Sequence, residues 1–73
     1  MTSQTAAAKI AARAAALTTD QIIVGLEALY AKINPTDPEA DQALIVARIF
    51  ETELEARVGW EEVEALTMRL MAA

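Results

Sequence analysis

Histidine and cysteine are both missing from this chain of 73 residues. Their absence removes disulfides, the usual zinc ligands and the commonest nucleophile–base pairs. Serine occurs once, at Ser3, near a terminus and with no base placed to activate it. Glycine and proline occur twice each, so no glycine-rich loop is present to cradle a phosphate. No apolar run approaches the roughly 20 residues needed to span a bilayer. Two further chemistries fail on spacing. "DPEADQALIVAR" lacks the glycine and the alternating oxygens of a calcium loop, and no serine lies in the Asp-Ser-Leu context of a phosphopantetheine carrier. These absences lead us to expect no catalytic residues, no metal, no cofactor and no small-molecule substrate.

What is present is helical. A chain this short is one domain at most and only marginally stable alone. With disulfides and zinc excluded, oligomerisation or very regular helix packing must supply the support. The expected fold is all-α: a compact bundle of three to four helices, residues 1–73 forming a single domain, with a long central third helix. "MTSQTAAAKIAARAAAL" is basic and free of acids, as transit peptides are, yet it reads better as a strong alanine helix over about 4–17, capped by Ser3 or Thr5. Only Ile10 and Leu17 are large on it, so it should pack lightly.

Thr18 with Gln21 three residues on is a capping-box pattern, and opens a second helix over about 19–33. Ile22, Leu26, Leu29 and Ile33 make its stripe. Gly25, beside Leu29, leaves room for another helix to approach closely. "NPTDP" breaks the pattern, and Asp37 followed by Pro38 predicts the N-cap and first residue of a third helix over about 38–58. Glu53 and Arg57 form a favourable pair four apart near its end. Gly59 stops it. A fourth helix follows over about 60–71, with Trp60, Val63, Leu66 and Leu70 as its apolar face and Trp60 expected to pack back on the core.

The third helix contains "ALIVARIF" and carries two stripes instead of one. Ala43, Val46, Ala47, Phe50, Leu54 and Val58 form a long stripe, assigned to the core. Ile45, Ile49 and Ala56 lie nearly opposite, with Leu44 between the two. A helix apolar all round is buried all round. Either it is a central post with helices on both sides, or the second stripe is a seam with another copy or a partner protein. Too few helices are available to surround it. Leu44, Ile45, Ile49 and Ala56 are therefore the expected interface.

Net charge is −5 and unevenly spread. Residues 1–17 hold Lys9 and Arg13 and no acids; all eleven acids fall in the remainder, against four cations. An acidic body repels phosphate. A helix-turn-helix reading of the second and third helices fails on sign, because Glu39 and Asp41 would meet the DNA. Clustered acids (Asp37, Glu39 and Asp41; Glu51 and Glu55; Glu61, Glu62 and Glu64) read as solvated or capping positions and not as an acid–base site.

"LTTDQIIVGLEAL" and "ARIFETELEAR", together covering Leu17 to about Arg57, resemble small uncharacterised helical proteins of actinobacterial phages and their mobile relatives. That resemblance implies no activity and no site residues. It implies a small accessory protein, in the cytoplasm of a bacterial host, that works by binding. The expectation is thus a non-enzymatic protein acting through self-association or a protein partner, with no direct contact to nucleic acid or membrane. The alternative is an acidic regulator occupying the basic surface of a nucleic-acid-binding protein.

Overall fold

An alanine-rich start folds as the first helix, α1 (Thr2–Ala16), of a computed structural model that describes the backbone of residues 2–72 and the side chains of residues 6–72. Because α1 already begins at Thr2, neither Ser3 nor Thr5 is its N-cap. Thr18 then caps α2 (Thr19–Tyr30). Its hydroxyl accepts from the Gln21 N–H at 3.1 Å, and the Gln21 Oε1 accepts from the Thr18 N–H at 2.9 Å, the reciprocal pattern predicted.

The next two boundaries differ from expectation. α2 ends at Tyr30, and the chain to Ile33 closes instead by tight turns, Lys32 N–H to Leu29 O and Ile33 N–H to Tyr30 O. Helical conformation is disfavoured at Asn34, which precedes proline. Downstream, α3 (Ala40–Val58) opens two residues later than predicted, with Glu39 at the N-cap position. Asp37 is not the N-cap. Its Oδ1 accepts from the Glu39 N–H at 2.8 Å, and its carbonyl accepts from Ala40. Its carboxylate thus closes a turn in front of the helix, where aspartate competes well with helical hydrogen bonding.

Gly59 ends α3 with a positive φ of 91°, a conformation that side chains with Cβ resist, and α4 (Trp60–Ala72) begins at once. Among the described residues the fold is all-α, four helices without a strand.

The core joins three helices. Ile22 and Leu26 of α2, Ala47 and Leu54 of α3, and Val63 and Leu66 of α4 form one buried cluster. α2 runs antiparallel to α3: Thr19 lies at Arg57, Gly25 at Phe50 and Lys32 at Glu39. The close approach predicted at Gly25 is filled by the Phe50 ring. A Cβ added there would stand 2.7 Å from the ring Cε2, so the ring would have to retreat.

α1 lies along a different side of α3 and runs in the same direction. Its end lies at Arg57, and its middle alanines, Ala7, Ala8 and Ala11, lie beside Ile49 and Ala56. α3 therefore packs against α1, α2 and α4 and is the central helix. The molecule measures 35 × 32 × 17 Å. Since packed helices lie about 8–10 Å apart, its short dimension is two helices thick.

Candidate interaction surface

Three sides of α3 are occupied. Phe50 turns toward α2, Ala47 and Leu54 toward the common core with α4, and Ile49 and Ala56 toward α1. The fourth side is open. Asp41, Leu44, Ile45, Arg48, Thr52 and Glu55 are all exposed on it.

The structure sorts the expected interface residues into two groups. Ile45 is 58% exposed and Leu44 39%, so neither is a core side chain. Ile49 is half-buried at the groove beside α1, and Ala56 is exposed at the same groove. Alanine methyl groups thus cover part of the second stripe, and its N-terminal end is left uncovered. Val58, expected on the core stripe, is 41% exposed because α3 ends there.

Beside Leu44 lies a shallow bowl lined by Tyr30, Ile33, Arg48, Leu70 and Met71. Met71 is 68% exposed. At the bowl the Tyr30 hydroxyl donates to the Glu51 Oε2 at 2.5 Å. Glu51 is consequently not the free solvent-facing acid predicted; it is half-buried and bonded. Glu53 is half-buried too, accepting from the Arg57 Nε at 3.0 Å. Long side chains reaching in from α2 and from the next turn of α3 enclose these carboxylates, which position along one helix does not reveal.

Burial, with the Glu51 hydrogen bond and charge, pushes the Tyr30 phenol up to about 12, against a smaller opposing effect of Arg48. The folded state therefore holds this proton more tightly than the unfolded chain. The stabilisation is complete below the unfolded pKa of 10.0 and is lost as pH rises toward about 12. In alkaline urea titrations, wild type should lose stability across that window more steeply than Tyr30→Phe. Equal slopes would show that the pair contributes nothing.

Trp60 departs from expectation. It is 60% exposed and does not pack back on α3. The buried stripe of α4 is Val63, Leu66 and Leu70, and Trp60, three residues before Val63, falls on the edge away from Leu66. Trp60, Met68 and Met71 share an outward face of α4, Met68 at 61% exposure. Their spacing was visible in the sequence, but apolar residues on a short helix are read first as core. Among the described residues no charged side chain is buried and no group of three carboxylates converges as for a metal ion.

No protein-family model, curated protein or solved structure matches the chain.

Proposed function

We propose that this protein acts without catalysis, by protein–protein contact, and that the open side of α3 is its contact face. The carrying observation is the exposure of Ile45 and Leu44 in the N-terminal part of a helix packed on its other sides. Burying a fully exposed side chain of this kind is worth about 1.5–3 kcal/mol, and covering the exposed part of these two recovers a share of that. A domain with so small a core gains substantially from covering two of them. The resemblance to phage accessory proteins and the lack of histidine and cysteine support the same reading, that of a small accessory protein working in a bacterial cytoplasm. Glu61, Glu62 and Glu64 are exposed on α4. An acidic regulator would use them, but Trp60, Met68 and Met71 on that helix suit apolar contact better than imitation of phosphate.

Ile45→Glu tests the proposal. The variant should keep its helical circular dichroism and lose the associated form in light scattering. Collapse of the helical signal would mean that Ile45 belongs to the core. Association as strong as wild type would place the contact elsewhere.

A further inference from the structure

The exposed side of α3 reads Asp41, Leu44, Ile45, Arg48, at spacings of three, one and three. That spacing keeps all four on one helix face. The order is an acid, two large apolar residues and a base. Reversing the direction of the helix exchanges the acid with the base and leaves the apolar pair in place. We infer that the occupant of this face is a second copy of the chain, docked antiparallel, α3 on α3, about a two-fold axis passing between Leu44 and Ile45. The inference rests on the reading of this face as a contact surface.

In that arrangement Leu44 of each copy meets Ile45 of the other. Asp41 of each copy meets Arg48 of the other, so one symmetric contact contains two ion pairs around an apolar centre. Isologous contacts of this kind are self-complementary and closed. Neither Asp41 nor Arg48 forms an ion pair among the described residues. Seven residues of helix separate them by about 10 Å, so they cannot satisfy each other within one copy.

Alternatives on the same face are poorer. A parallel pairing opposes Asp41 to Asp41 and Arg48 to Arg48. An antiparallel axis moved to match Arg48 with Glu55 puts Thr52 and Glu51 at the centre, where no apolar group remains. Met71 beside Leu44 adds apolar area at the rim. The face offers only two large apolar side chains and two charges per copy, so the dimer should be weak and concentration-dependent.

Charge exchange tests it. Asp41→Arg alone brings cation to cation, and Arg48→Asp alone brings acid to acid. Each should stay monomeric in sedimentation equilibrium at concentrations where wild type dimerises, with circular dichroism unchanged. Mixed in equal amounts, the two variants should form a heterodimer, since every Asp41–Arg48 position then joins opposite charges. The double variant Asp41→Arg/Arg48→Asp should dimerise by itself. Single variants dimerising like wild type would overturn this register; if Ile45→Glu still abolished their association, the contact-face reading would survive that failure. A wild type monomeric up to about 1 mM, where only negligible affinity remains, would overturn the second copy as occupant.

Discussion

Leu54→Ala should leave the chain mostly unfolded. Leu54 is 1% exposed and stands in the cluster where α2, α3 and α4 meet. A leucine truncated to alanine in a core costs about 2–5 kcal/mol, from lost transfer energy and from the cavity left behind. A domain of this size draws only about 3–5 kcal/mol from its single core. No disulfide restrains the unfolded chain, because cysteine is absent. In urea titration followed by circular dichroism, Leu54→Ala should show no folded baseline or a midpoint close to zero denaturant. A loss below about 1 kcal/mol would mean that neighbouring side chains collapse into the space, as the most adaptable cores do.

Arg57→Ala should release α1. The last carbonyls of a helix lack partners within it and carry the negative end of its dipole. Arg57 supplies what α1 lacks: one guanidinium nitrogen donates to the Ala14 and Ala15 carbonyls at 3.2 and 3.1 Å. Its Nη1 donates to the Thr19 hydroxyl at 3.3 Å, and its Nε to Glu53. A single side chain on α3 thereby holds the end of α1, the start of α2 and a carboxylate of its own helix. α1 has little other grip, since Ala14 is its only fully buried side chain among those described and Ile10 is half-buried. Hydrogen bonds to a charged group contribute about 1.5–3 kcal/mol, so the expected loss is about 2 kcal/mol. It should be unevenly distributed, with α1 amides losing hydrogen-exchange protection before those of α2 and α3. Arg57→Lys should not rescue, because an ammonium lacks the fork that reaches several acceptors at once. Unchanged α1 protection in Arg57→Ala would show that alanine packing alone retains the helix.

Features set by neighbours in sequence were readable in advance. The Thr18–Gln21 cap, the stop at Gly59 and the Glu53–Arg57 pair each need only a few residues of context. Gly25 announced a close approach, and the identity of the approaching group, Phe50, came only with the antiparallel packing of α2 on α3. The start of α3 was misplaced because Asp37 can cap a helix or close a turn, and both readings begin with the same residues. Glu51 was misread for a different reason: its partner Tyr30 lies 21 positions away, on another helix. The reach of Arg57 to Ala14 spans 43 positions and was equally invisible. The candidate face was half legible. Two stripes on α3 could be counted from the sequence, but the split within the second one depends on how far α1 extends along it.

The central claim, that the open side of α3 is where this protein makes contact, is tested most directly by amide NMR of the wild-type chain from dilute to concentrated solution. Concentration-dependent shifts should gather at Asp41, Leu44, Ile45 and Arg48, with Met71 at their rim. Val24, exposed to 62% on α2, should stay silent. Shifts centred on Val24 or on the Lys9–Arg13 face of α1 would contradict it.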